Sequence, residues 1–294
     1  MQSVPTLPPG FGIHGAVGAS APCLARTVYC LTSLLPELDR LGFLDGTPRR
    51  GPTSAVQGRR SHPVYDLESM GPVVWKRCLR GGLMEPLLHD LHTGTRRFFE
   101  ELSVTEEARS AGASVARILA IALTPVHRGF SRVELLSAYE PDARDGAALV
   151  APDGPDSATQ REVLRAAARE LRRFHGAGFL HGDLNLKNIL WRLSPTGPRI
   201  TLIDLDPGNA RRTGGGNSAL ENLQRLVRSY LKACTAESWR RPSRNSLTFL
   251  NEYFRGDSTG LRDFLRTARR RARLAVLRRP TRALLEYGHR AGRA

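Results

Sequence analysis

Lysine is nearly missing from this chain: of 44 basic residues only Lys76, Lys187 and Lys232 are lysines, and the rest are arginine. A composition so biased makes a surviving lysine a candidate for a specific task; two of the three fall in informative positions, and Lys232 reads as a solvated surface residue. Cysteine is scarce too. Cys23, Cys30, Cys78 and Cys234 are too few and too irregularly spaced for a zinc site or a disulfide framework, which favours a reducing compartment. No long apolar run is present: the most apolar N-terminal stretch, 17–35, is interrupted by Pro22 and Arg26 and lacks a basic start, so it reads as neither a membrane span nor a signal peptide. Acidic charge is also short, 28 residues against 44 basic ones, and the resulting +16 calls for an anionic partner or habitat. What is present, 294 residues of which 40% are hydrophobic, is enough for one domain with a sizeable core.

The strongest positive signal is His181-Gly182-Asp183-Leu184-Asn185-Leu186-Lys187-Asn188-Ile189-Leu190, followed by Leu202-Ile203-Asp204-Leu205-Asp206. It matches the catalytic loop and metal-binding strand end of protein-kinase-like phosphotransferases. In-line phosphoryl transfer needs a carboxylate within reach of the acceptor hydroxyl and separate oxygen ligands that hold Mg²⁺ on the phosphates of ATP. Asp183 is then the base, with Asn188, Asp204 and Asp206 on the metal side. Apolar runs at 189–191 and 200–203, separated by Ser194-Pro195-Thr196-Gly197-Pro198, read as a hairpin that returns Asp204 to Asn188. Lys187, inside the loop, can reach the transferred phosphoryl group as a compact charge.

Lys76 ends the apolar stretch Gly71-Pro72-Val73-Val74-Trp75, which resembles the kinase strand whose lysine contacts ATP phosphates and pairs with a helix glutamate. The next helical stretch, from Thr95 to about Ser110, offers Glu100 as that partner. Glu101 is adjacent and about 100° away, and periodicity does not decide between them. The phosphate-covering loop falls at Gln57–Tyr65, where Gly58 is the lone glycine and Pro63 departs from a glycine-rich pattern.

Taken with Arg80-Gly81-Gly82-Leu83, Asp90, Arg96-x-Phe98-x-Glu100 and Asn185 after Asp183-Leu184, these residues resemble the lipopolysaccharide kinase family, most nearly its 3-deoxy-D-manno-octulosonic acid (Kdo) kinases, over roughly residues 56–235. The resemblance implies an α+β, protein-kinase-like bilobal fold. It also implies ATP and Mg²⁺ as cofactors, and transfer to a hydroxyl of a Kdo sugar in the lipopolysaccharide inner core. The enzyme would then be cytoplasmic and peripheral on the inner membrane. Heptose or aminoglycoside-type kinases share most of these motifs, and a pseudokinase scaffold is the remaining alternative. Gly182 stands where regulated protein kinases carry arginine, and the Pro207–Gly216 connection is too short for a peptide-docking segment, which favours a small-molecule acceptor.

The expected organisation is an N-terminal extension over 1–55 with a helix at Leu24–Leu41, an N-lobe over 56–140 and a C-lobe over 141–294. N-lobe strands are expected near 63–68, 72–79, 115–123 and 131–138, with a hinge near Tyr139-Glu140-Pro141. Ser157-x-x-Gln160 suits a capping box for a helix whose Val163, Ala167, Leu171 and Phe174 face the core and whose end carries His175. The tail over 262–294 holds eleven arginines against Asp263 and Glu286, with apolar residues interleaved. It suits an anionic membrane surface more than nucleic acid, for which no specific binding is expected; genome-wide arginine bias is the other source of such a tail.

Overall fold

A computed structural model of the protein describes residues 6–15, 26–57, 61–79, 90–127, 129–205, 217–233 and 244–277. An antiparallel sheet forms the N-terminal lobe from β1 (Phe11–Gly15), β2 (Thr27–Leu31), β3 (Ser54–Gln57), β4 (Ser61–Leu67), β5 (Gly71–Arg77), β6 (Leu91–His92), β7 (Ile118–His127) and β8 (Phe130–Ala138). Its order is β1-β2-β7-β8-β5-β4-β3, with β6 also on β8. Alternation along the strands divides the side chains between two layers. Val28, Cys30, Trp75, Ala120 and Leu136 pack on one face with α1 (Leu35–Leu41) and Phe43. Ile121, Val133 and Leu135 pack on the other with Phe98, Phe99 and Leu102 of α2 (Arg96–Ser110).

The expected helix over Leu24–Leu41 is a correction: among the described residues it forms at Leu35–Leu41 after a 3-10 turn at Thr32–Leu34, and Thr27–Leu31 is a strand between β1 and β7. Val28 and Cys30 face one layer and Tyr29 the other, a period of two that a helix cannot satisfy. Pro36, lacking an N–H, sits where the helix starts. Gly42 ends it at φ +83°, and a Cβ there would lie 1.8 Å from the Thr47 carbonyl oxygen. A buried ion pair between Arg26 and Glu134 joins β8 to the residue before β2, and Arg26 also donates to the Phe43 carbonyl at 2.9 Å and Thr124 Oγ1 at 2.9 Å. Residues before 55 therefore contribute strands to the sheet.

The C-terminal lobe is built on α3 (Ser157–Gly176), α4 (Asn217–Ala233), α5 (Arg244–Tyr253) and α6 (Ser258–Leu277). Val163, Ala167, Leu171 and Phe174 are buried as their spacing predicts. The cap of α3 is Asp156, one residue before the expected Ser157: its carboxylate accepts from the Ala158 and Thr159 N–H groups at 2.8 and 3.1 Å. A small sheet of β9 (Arg144–Asp145), β10 (Ile189–Ser194) and β11 (Gly197–Leu202) carries the catalytic-loop hairpin. Main-chain bonds also cross between lobes, from Leu202 N–H to the Ser114 carbonyl at 2.8 Å and from Ala116 N–H to the Leu202 carbonyl at 2.9 Å. Among the described residues no helix is long and apolar enough to cross a membrane.

The segment expected as a basic tail begins inside the lobe. Phe264 of α6 is 1% exposed and packs its ring 5.7 Å from Phe254, so the first turns of this helix belong to the core. Residues 278–294 lie outside the described residues.

His175, expected as a helix-terminal residue, is buried in a polar chain. The Asn222 amide bonds the His181 main chain twice, donating to its carbonyl at 2.6 Å and accepting from its N–H at 3.2 Å, which fixes the amide's orientation. His175 Nε2–H therefore donates to Asn222 Oδ1 at 3.1 Å, and Nδ1 accepts from the Tyr253 hydroxyl at 2.7 Å. Burial, outweighing the Asn222 hydrogen bond, pushes the His175 pKa down to about 4. Because the folded value lies below the unfolded one, this neutral imidazole stabilises the fold fully above pH about 6.5, and the contribution is lost as pH falls toward 4. Urea titrations at pH 7 and 4.5 should show the wild type losing about 2–3 kcal/mol more than His175→Gln. Equal losses in the two proteins would show that His175 is not held neutral.

Candidate active site

Strand alternation sends Val74 and Lys76 of β5 toward the space between the lobes, while Val73 and Trp75 face the core. That space is an open cleft of about 900 Å³. Val56 and Val74 line it from the sheet side and Leu190 and Ile203 from the other lobe, with Tyr139 and Glu140 at the connecting strand end. An apolar slot with charged groups at one end suits a planar base with a phosphate tail. Lys76 Nζ lies 3.2 Å from Asp204 Oδ1 at the charged end.

Two register facts place the acidic residues. Pairing of Ile189 with Leu202 and Ser194 with Gly197 turns the chain at Pro195-Thr196, as the sequence predicts, and sets Asn188 against Ile203. The Ile203 N–H then donates to the Asn188 carbonyl at 3.1 Å. His181, fully buried, completes the clamp. Its Nδ1 accepts from the Asp183 N–H at 3.2 Å, so Nε2 carries the proton and donates to the Ile203 carbonyl at 2.9 Å. One imidazole thus sets the loop residue and the strand-end residue at a fixed separation. Asp204 follows in the left-handed region at φ +55°, a conformation that aspartate tolerates better than most and that turns the chain out of the strand.

Inside the loop, Asn185 caps the 3-10 turn Leu186–Asn188: its Oδ1 accepts from the Lys187 N–H at 2.9 Å and its Nδ2 donates to Asp183 Oδ2 at 3.1 Å. Asn188 Nδ2 donates to the Asp183 carbonyl at 2.9 Å. That bond leaves the Asn188 oxygen as a ligand atom. With the Asp204 carboxylate it makes a hard oxygen set of the kind Mg²⁺ takes alongside phosphates, so the residues fit the metal that the resemblance implies. Among the described residues no cluster of three or more His, Cys, Asp and Glu is arranged to hold an ion. Asp183 and Lys187 are both exposed at the loop surface.

One expected residue falls elsewhere. Glu100 pairs with Arg96 at 2.7 Å, whereas Glu101 is the glutamate of this pair that lines the cleft with Lys76. Glu101 also acts on Cys78, whose thiol is pushed up to about 12, first by burial and then by that carboxylate. Gly58 and Asp206 lie outside the described residues, as do Arg80-Gly81-Gly82-Leu83. Sequence reasoning gave no role to His62 on β4. Its imidazole pKa is lowered by burial and by Lys76, with Asp204 opposing, which sets it near the charged end of the cleft. Asn222, Arg225 and Ser229 of α4 were also missed, although their three- and four-residue spacing marks one helix face.

The Lipopolysaccharide kinase (Kdo/WaaP) family model matches residues 51–253. A 3-deoxy-D-manno-octulosonic acid kinase of Vibrio cholerae is 32% identical over 162 residues, which is 52% of this chain and 63% of that protein. One from Actinobacillus succinogenes is 29% identical over 198 residues, covering 66% of this chain and 77% of that protein. The EKC/KEOPS complex subunit BUD32 of Cryptococcus neoformans is 26% identical over 234 residues, 64% of this chain and 75% of that protein. A solved structure of WaaP in complex with acyl carrier protein has a TM-score of 0.47 at 18% identity over 75% of this chain and 88% of that one, a likeness too distant to carry an argument. With a family model spanning well over half of its residues and a protein-kinase-like pair of lobes around the His181–Asp204 clamp, the chain belongs to the lipopolysaccharide kinase (Kdo/WaaP) family of phosphotransferases.

Proposed function

We propose that this protein is an ATP-dependent sugar kinase that phosphorylates a hydroxyl of Kdo in the lipopolysaccharide inner core. The observation that carries the reading is the shared His181 clamp, which sets Asp183 beside Asn188 and Asp204 across the cleft from Lys76. The Kdo acceptor is supported by the curated kinases that match at 29–32% identity.

In this mechanism the adenine enters the apolar slot and the phosphates reach Lys76. Asp204 and the Asn188 oxygen would hold magnesium, which when bound neutralises charge on the phosphates. Asp183, steadied by the Asn185 amide, accepts the proton of the acceptor hydroxyl as its oxygen bonds to the γ-phosphorus. The bond from that phosphorus to the ADP oxygen breaks, and the electron pair leaves with ADP. Lys187 offsets charge on the moving phosphoryl group. Lys76 exchanges its contact with Asp204 for the phosphates and is oriented by Glu101.

Membrane docking is the part that rests on charge. Arg269 and Arg270 are exposed on α6, and the arginine-rich sequence continues beyond it. An acceptor built on a lipid makes the anionic inner leaflet the partner we favour over nucleic acid.

Asp183→Asn should retain ATP binding and lower transfer to a Kdo-bearing lipid A precursor by about 10²–10⁴-fold, read by isotope transfer and by nucleotide titration. Wild-type rates in that variant would remove the assignment of the base. Glu101→Gln should reduce kcat/KM by more than about tenfold and Glu100→Gln by less than about twofold, since the latter loses only an exposed ion pair. The reverse order would return the Lys76 partner to Glu100. For the membrane, truncation would remove the buried Phe264, so the test is Arg269→Gln, Arg270→Gln, Arg278→Gln and Arg279→Gln combined. Each charge near an acidic surface contributes about 1 kcal/mol, so binding to phosphatidylserine vesicles should fall at least about tenfold with an unchanged melting temperature. Unaltered vesicle affinity, or stronger capture of DNA than of vesicles at equal salt, would overturn the membrane reading.

A further inference from the structure

With Asp183 as base, the acceptor hydroxyl must approach the 181–188 loop, and charged groups beside that loop bear on which acceptor it takes. Asn222, Arg225, Ser229 and Lys232 of α4 recur at intervals of three, four and three residues, which places them on one face of the helix. The first three are bonded to the loop's main chain. Asn222 takes both the N–H and the carbonyl of His181, Arg225 Nη1 donates to the Gly182 carbonyl, and Ser229 Oγ accepts from the Leu186 N–H at 3.1 Å. The same face therefore runs beneath the loop for its working length.

Arg225 differs from the other two. Asn222 and Ser229 are buried or half-buried braces, whereas Arg225 is exposed. Its bond to Gly182 holds the guanidinium one peptide away from Asp183. A guanidinium carries five donors in a planar fork, and one carbonyl engages only part of it. Arg228 and Lys232 are exposed farther along the helix, so cationic groups continue away from the catalytic carboxylate. Lys232 is one of only three lysines in the chain. Lys76 and Lys187 are committed to the nucleotide side, which leaves this second set of charges without a role in handling ATP.

We propose that this face of α4 recognises an anionic group on the acceptor sugar itself, a carboxylate being the class that fits the fork of Arg225. Arg228 and Lys232 supply the surrounding positive field. The proposal deepens the kinase reading above and rests on Asp183 as the base. A brace alone would need only the bond to Gly182; recognition additionally requires that loss of the substrate's negative charge weaken catalysis.

The test compares a soluble Kdo glycoside as free carboxylate with its methyl ester, using the full chain. The wild type should favour the acid by at least about tenfold in kcat/KM, as a charge-assisted bidentate contact does. Arg225→Gln, Arg228→Gln and Lys232→Gln combined should bring that ratio toward one while the KM for ATP stays within about twofold of wild type. Because Arg225→Gln can also loosen the loop, the Arg228→Gln/Lys232→Gln pair provides the second variant and should lower the ratio part of the way. Equal use of acid and ester by the wild type, or an unchanged ratio in the triple variant, would overturn the proposal and leave the kinase reading standing. If the wild type transfers phosphate to neither compound, calorimetric binding decides separately. Tighter binding of the acid that is lost in the triple variant supports anion recognition against a failed Kdo kinase assignment, and equal binding of the two compounds overturns it.

Discussion

The site depends on one buried imidazole. His181 can accept from the Asp183 N–H and donate to the Ile203 carbonyl only as the Nε2-protonated tautomer, and both partners are main-chain groups. Side chains of the loop and strand end can therefore vary without moving the two backbones relative to each other. A hydrogen on Nδ1 would set two N–H groups against one another, so the clamp requires Nδ1 to remain an acceptor. Asn222 extends the same logic outward by fixing the His181 main chain and receiving the proton of His175. Two histidines and one asparagine thus connect the helical core to the catalytic loop through hydrogen bonds whose directions are all determined.

The hairpin that carries the loop was legible from the chain because kinase chemistry demands certain residue types at short, fixed separations, whereas the network around His181 was not. Five residues from Asp183 to Asn188 and a two-residue turn at Pro195-Thr196 leave little freedom in the hairpin. The core stripe of α3 was legible for a similar reason, since four residues at helical spacing must share a face. What escaped depended on contacts remote in sequence. Thr27–Leu31 reads as helix because Leu24 to Leu41 is rich in leucine, yet β7 offers it ladder partners about ninety residues later, and pairing outweighs propensity. Glu100 and Glu101 differ only by helical phase, which the packing of Phe98, Phe99 and Leu102 on the sheet sets. The polar face of α4 went unread because its partners are main-chain groups that any sequence would present.

Arginine is so abundant here that its count says little about any single guanidinium. Location separates them. Arg26 is buried against Glu134 and the Phe43 carbonyl and ties the first strands to the sheet, where removing either charge would strand the other. Arg96 and Arg40 make exposed pairs that contribute little to stability. Arg225 sits between these extremes, exposed yet fixed at one end, and that combination suits an arginine to binding.

Two of the connections between the lobes are made by main chain. One joint is the covalent strand end at Tyr139–Ala143; the other is the main-chain exchange of Leu202 with Ser114 and Ala116, reinforced where Glu170 of α3 accepts from the Ser114 N–H at 2.6 Å. The second joint lies beside the first, since the Ala138 N–H donates to the Arg117 carbonyl at 2.8 Å. The seam between the lobes is thus a single patch of backbone, and exchange of the side chains along it leaves its hydrogen bonds in place.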